Sequence, residues 1–162
     1  EAREKARHED AGALASALAR AKALKVSCGR PGDLVIGSDS VVSVDGRLYD
    51  KPADRGEAAS HLRTFSDNEI RLTSSAALAR DGIVEWEVCD TAILRVRPLS
   101  DSFIDSYLDA EWPEVGYCVG VFRFEGRGVQ LFDSVDGSYF TILGMPLLPL
   151  LAALRERRAI PE

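Results

Sequence analysis

Val35-Ile36-Gly37-Ser38-Asp39, followed twelve residues on by Lys51-Pro52, is the stretch from which the fold of this chain is read. An apolar run, Leu34 to Ile36 and then Val41, Val42 and Val44, has the composition of an interior strand. One carboxylate, Asp39, interrupts it. Removing a carboxylate from water is costly, so such a residue is rarely buried without a partner. A metal ion, a base or a substrate contact would supply one. Asp45-Gly46 marks a tight hairpin turn, and Lys51 stands just beyond the returning strand. The spacing allows an acid and a cation to share one cleft, an arrangement suited to phosphate chemistry.

Outward from this hairpin the pattern alternates between helical and extended periods. Residues 1–11 are charged and poorly periodic, and read as a frayed helix or an arm. Over 12–27, Ala13, Leu14, Ala17, Leu18, Ala21 and Leu24 recur at helical spacing until Gly29-Arg30-Pro31-Gly32 stops the helix. Asp54 caps a helix carrying Ala58, Ala59, Leu62 and Phe65. Residues 69–80 and 83–97 read as strands joined at Asp81-Gly82. Ser100 caps a third helix, with Phe103, Ile104, Tyr107 and Leu108 inward. A loop over 111–115, glycine-punctuated strands to about 143, and a Leu-rich helix opened by Met145-Pro146 complete the chain. The order αββαββαβββα is a mixed α/β pattern, of one domain over 1–162 or two small lobes sharing a sheet.

Bulk properties narrow the classes. Apolar residues make up 46% of the 162, enough to bury a core. No apolar run reaches the length of a membrane span, and Glu1-Ala2-Arg3-Glu4-Lys5 does not read as a secretory signal. Cys28, Cys89 and Cys118 match neither a disulfide framework nor a metal spacing, which points to a reducing cytoplasm. His8 and His61 stand apart in polar helical surroundings and read as solvated surface groups, not metal ligands. The net charge of −6 argues against nucleic acid as a partner, though not against a small polyanion held by a few converging cations.

Four features could carry chemistry, each with a plainer reading beside it. Asp39 is either a strand-end Asp bonded to backbone amides, or a hard oxygen ligand for Mg²⁺ and a base that positions water. Gly37 permits a bulge or the close approach of a ligand. Lys51, made extended by Pro52, projects from the hairpin end or is simply solvated. Leu14, Leu18 and Lys22 are spaced i, i+4, i+8, which puts Lys22 at the edge of the apolar stripe, where a snorkelling lysine is the plain reading. Lys25 lies nearer the centre of that stripe, and periodicity does not choose between the two. Gly120-Val121-Phe122-Arg123-Phe124-Glu125-Gly126-Arg127-Gly128 reads as a pocket-lining loop or as a turn between strands. It lacks the spacing and following helix of a dinucleotide fingerprint, and no P-loop, nucleophile elbow or paired-His zinc motif occurs.

The order of these signals is more specific than any one of them. Ala-Lys-Ala on a helix, Ile-Gly-Ser-Asp, Asp-Gly-x-x-x-x-Lys-Pro and Ala-Ala-x-x-Leu follow one another. Gly-x-Phe-x-x-Glu-Gly-x-Gly and a late Asp-Gly-Ser-Tyr…Leu-Gly-Met-Pro-Leu come after them. The series resembles the Maf family of nucleoside triphosphate pyrophosphatases, from about residue 12 to about residue 155. That resemblance implies an α/β, ITPase-like fold of two lobes around a long, curved mixed sheet, flanked by helices, with a central cleft. The implied activity is metal-dependent hydrolysis of a nucleoside triphosphate between the α and β phosphates, with Mg²⁺ or Mn²⁺ as cofactor, in a cytoplasmic homodimer.

By the same resemblance Asp39 is the catalytic acid and metal ligand, and Lys22 and Lys51 hold phosphates. Ser40 and Glu125 fall at positions that select the base. A Glu at the latter resembles the branch preferring 7-methyl-GTP, whereas Ser40 matches neither branch, Thr or Gln being usual there. The usual Thr-Gly of the next strand reads here as Thr73-Ser74. The family's opening strand and Ser-x-Ser-x-Arg-Arg phosphate loop are absent from these residues, so the 162 residues by themselves are expected to hydrolyse nucleotides weakly. An ITP/XTP pyrophosphatase and a noncatalytic regulator of cell division, binding nucleotide or protein, are the rival readings.

Overall fold

The computed structural model describes residues 11–161. The charged segment expected over 1–11, Ala11 excepted, and His8 with it, lie outside the described residues. Helix α1 (Ala11–Ser27) is followed by strands β1 (Val35–Val44) and β2 (Arg47–Tyr49) and by helix α2 (Arg55–Phe65). Strands β3 (Glu69–Arg80) and β4 (Ile83–Val96) lead to helix α3 (Asp101–Glu111). After two 3-10 turns come β5 (Phe132–Asp136), a single helical turn α4 (Tyr139–Ile142) and helix α5 (Leu147–Glu156). The strands form one sheet in the order β2-β1-β3-β4-β5, with β1–β2 and β4–β5 antiparallel.

Local chemistry explains the boundaries. Both Asp-Gly turns have positive φ at each central residue, 48° and 77° at Asp45-Gly46 and 50° and 77° at Asp81-Gly82. That is the requirement of a type I′ hairpin turn, whose twist matches that of the flanking strands. Asp54 accepts from the Glu57 amide and Ser100 from the Phe103 amide, so both expected caps form.

Residues up to Ser40, Thr73–Thr91 and those from Ser138 onward form one compact unit; Val41–Leu72 and Ala92–Gly137 form a second. In the first, Ala77 and Ala79 of β3 pack with Ala19 and Ala23 of α1. Leu78, between them, packs instead with Leu150, Ala153 and Leu154 of α5. This alternation along β3 puts one helix on each face of the sheet. In the second unit α2 lies against α3, tied at its rim by Arg55–Asp109 at 2.6 Å and Arg63–Asp101 at 2.7 Å.

Four expectations are corrected. Residues 116–131 are turns and 3-10 helix, not strand, and β5 alone of the expected late strands forms among the described residues. The physical reason is backbone: Gly120 and Val121 take positive φ in succession, which turns the chain out of the extended conformation. Glu111 ends α3 and does not begin a loop. The buried stripe of α1 is Leu14, Ala15, Leu18, Ala19, Ala23 and Ser27, so Ala13 and Ala21 face out, because the helix turns Ala19 and Ala23 toward Gly37 of β1 and Ala77 and Ala79 of β3. Finally, the His61 side chain is 14% exposed, edge-on to Tyr49 and tilted over Phe65, and burial lowers its pKa.

Candidate functional site

Gly37 sets the geometry around Asp39. A Cβ there would stand 2.3 Å from the Ala19 carbonyl oxygen and 2.5 Å from the Ala23 nitrogen. The glycine is thus required by the approach of α1 to β1 and not by an unusual φ. Residues 37 and 39 share a face of β1, so the same approach brings α1 over Asp39. Lys22, one residue before Ala23, then donates from Nζ to Asp39 Oδ1 at 2.9 Å. Of the two lysines, Lys22 is thus the one that reaches Asp39.

The Asp39 side chain is 16% exposed and that of Lys22 51%. Asp39 Oδ2 is buried and has no hydrogen-bond partner among the described residues. A largely desolvated carboxylate with one oxygen held by a cation and the other unsatisfied is a poor structural element and a ready ligand or base. Among the described residues no group of three or more His, Cys, Asp or Glu is placed to cage a metal ion. One carboxylate with a spare oxygen nonetheless fits Mg²⁺ or Mn²⁺, since Mg²⁺ keeps several waters and is held by one or two carboxylates plus substrate phosphates.

Ser40 lies on the other face of β1. Its hydroxyl is 2.7 Å from Ser74 Oγ and 3.3 Å from the Gly144 carbonyl, to which Ser38 also donates at 2.8 Å. Ser74 Oγ lies 2.8 Å from the Thr141 carbonyl, so whichever serine donates to the other, the Ser40 proton is held inside this network, by Ser74 Oγ or by the Gly144 carbonyl. Thr73 and Ser74, in place of the usual Thr-Gly, sit in extended β3, and Ser74 is fully buried at the centre of this network. Nothing in the local pattern marked Ser38 or Ser74 for it.

Lys51 and Glu125 belong to the second unit, where both lie within electrostatic reach of the Cys118 thiol. Burial, reinforced by Glu125, pushes the Cys118 pKa up despite Arg123 and Lys51, so the thiol stays protonated and is no nucleophile. Glu125 is exposed, and neither of its flanking arginines pairs with it. They turn to Glu111, whose side chain is 7% exposed: Arg123 Nη2 donates to Oε2 at 2.9 Å and Arg127 Nε stands 3.9 Å from Oε1. Gly128 makes this possible, because a Cβ there would meet the Arg123 carbonyl oxygen at 2.5 Å. Sequence reasoning passed over Glu111, yet its spacing from Ile104, Tyr107 and Leu108 places it on the buried face of α3.

A mixed α/β chain with an ion-paired acid on an interior strand and a glycine-wound loop bearing Glu125 is the class that the sequence resemblance implies. The Maf-like protein family matches residues 1–157, and the chain belongs to it. A nucleoside triphosphate pyrophosphatase of Sphingopyxis alaskensis is 46% identical over 150 residues, covering 92% of this chain and 76% of the relative. A 7-methyl-GTP pyrophosphatase of Rhizobium etli is 48% identical over 143 residues, 88% of this chain and 72% of the relative. Another from Rhizobium meliloti is 48% identical over 147 residues, 91% and 74% of the two chains. Among the described residues no helix is long and apolar enough to cross a membrane.

Proposed function

We propose that this chain hydrolyses nucleoside triphosphates between the α and β phosphates, releasing a nucleoside monophosphate and pyrophosphate. The observation that carries the reading is Asp39, with one oxygen held by Lys22 and the other buried and unpartnered. Water attacking a polyanion is opposed by charge, so ammonium groups must offset it while a carboxylate aligns the water and takes its proton. Asp39 has the second role, and Lys22 and Lys51 have the first. A divalent cation, held by Asp39 and the phosphates, would add Lewis-acid neutralisation when bound. The names of the relatives support the reaction, and three cysteines that form no disulfide suit a cytoplasmic setting.

The base is the finer question. Glu125, exposed and unpaired among the described residues, can accept from both N1–H and N2–H of a guanine edge, which favours a guanine-type base such as that of 7-methyl-GTP. Ser40, whose one proton is held by Ser74 or by the Gly144 carbonyl, has only lone pairs to offer in base selection.

Assay of GTP, 7-methyl-GTP, UTP and dTTP with Mg²⁺ or Mn²⁺ should yield pyrophosphate and the monophosphate, and release of orthophosphate and diphosphate would overturn the reading. Chelation by EDTA should abolish turnover and added Mg²⁺ restore it; activity unaffected by EDTA would remove the cation. Glu125→Gln should shift kcat/KM toward UTP and dTTP by about tenfold or more relative to GTP, because a lost bidentate acceptor discriminates strongly. An unchanged preference would take Glu125 out of the base site.

A further inference from the structure

Residues 123, 125 and 127 carry charges of alternating sign on a short loop that ends in a 3-10 helix. Left to themselves, arginines two residues either side of an exposed carboxylate would pair with it, and a paired Glu125 has fewer lone pairs to offer a base. The structure shows another arrangement. Both guanidinium groups turn to Glu111, a carboxylate withdrawn from solvent at the end of α3, and no hydrogen bond or ion pair reaches Glu125 among the described residues. We infer that Glu111 is a specificity-positioning residue, which draws Arg123 and Arg127 away from Glu125 and so keeps that carboxylate open to the nucleotide base. The inference rests on the reading of Glu125 as the base contact.

Three observations support it. Glu111 is on the apolar face of its helix, where a carboxylate is tolerated only when paired, so the site exerts a strong pull on the guanidiniums. Gly128 folds the chain back against the Arg123 backbone, and a Cβ at Gly126, in the same bend, would lie 3.6 Å from the Arg123 carbonyl oxygen and 3.8 Å from Glu111 Oε2. Arg123 donates to Glu111, and that bond is the main cause of its raised pKa, with Glu114 and Glu125 adding through space, so Glu125 lies within electrostatic reach of the same cation.

The test measures affinities of nonhydrolysable α,β-methylene analogues of GTP and UTP, with Mg²⁺, for the full chain and its variants. Glu111→Gln, isosteric but uncharged, should release the arginines and lower the GTP:UTP affinity ratio about tenfold, as Glu125 becomes paired. Adding Arg123→Met and Arg127→Met to Glu111→Gln should restore the ratio, since no cation then remains beside Glu125. A purely structural Glu111 would weaken both analogues alike, and the triple variant would be no better than the single one; either result overturns the inference. Glu111→Asp, which keeps the charge but shortens its reach, should give a smaller drop in the same ratio and serves where Glu111→Gln fails to fold. An unchanged ratio in the Asp variant counts against the role. If Glu125→Gln lowers the ratio and Glu111→Gln does not, this inference alone fails. If the unmodified chain binds neither analogue, or Glu125→Gln leaves the ratio unchanged, the base reading fails first.

Discussion

Asp39→Asn should lower kcat for pyrophosphate release by about 10²–10⁴-fold, the range that a positioned acid–base group contributes. Asn keeps the shape and can still accept from Lys22, so packing of α1 on β1 is retained. What it loses is charge: the buried oxygen without a partner becomes an amide that neither takes a proton from water nor neutralises a cation. Folding should be little affected. The pair with Lys22, whose side chain is half exposed, is worth only about 0–1 kcal/mol, and burying a neutral amide costs less than burying an ion. The expected pattern is therefore lost turnover, a melting temperature unchanged or slightly higher, and affinity for a nonhydrolysable GTP analogue within a few-fold of the original. Full activity in the Asn variant would remove Asp39 from the chemistry. Tight nucleotide binding with no turnover, both in this chain and in one that also carries the Ser-x-Ser-x-Arg-Arg loop, would favour the noncatalytic regulator instead.

How much of this was legible depends on whether the cause is local. The I′ turns at Asp45-Gly46 and Asp81-Gly82, the caps at Asp54 and Ser100, and the stops around α1 are written in a few adjacent residues, and all form as expected. The region after α3 was misread because glycines spaced among apolar residues suit a bulged strand as well as a wound loop. The decision falls to Gly128 against Arg123 and to Glu111, contacts across as many as a dozen residues. For the site, composition and order singled out Asp39, but the choice of Lys22 over Lys25 needed the rotation of α1. That rotation is decided by which small residues meet Gly37. Ser40 shows the limit from the other side: adjacency to Asp39 in sequence places it on the opposite face of the strand, tied to Ser74 and Gly144.

Gly37→Ala is expected to destabilise the fold and to separate Lys22 from Asp39. Two effects oppose each other. Replacing glycine limits the unfolded chain and should stabilise by about 0.4–1 kcal/mol where the backbone accepts the new residue. Against this, the added carbon would lie 2.3 Å from the Ala19 carbonyl oxygen and 2.5 Å from the Ala23 nitrogen, both of them backbone atoms of one helix. Backbone cannot swing aside as a side chain does, so α1 as a whole must retreat, at or above the upper end of the roughly 1–3 kcal/mol that over-packing costs. The net loss of about 2 kcal/mol or more should lower the melting temperature by about 4–8 °C for a domain of this size. Retreat of α1 also stretches the 2.9 Å bond between Lys22 and Asp39, so kcat/KM should fall even at temperatures where the variant is fully folded. Ala23→Gly in the same chain is a control on the cause. It deletes the third contact, the Ala23 Cβ at 2.8 Å, but neither backbone atom, and it should not rescue stability or activity. Recovery by that second change would show side-chain crowding, not the helix backbone, to be what demands glycine at position 37.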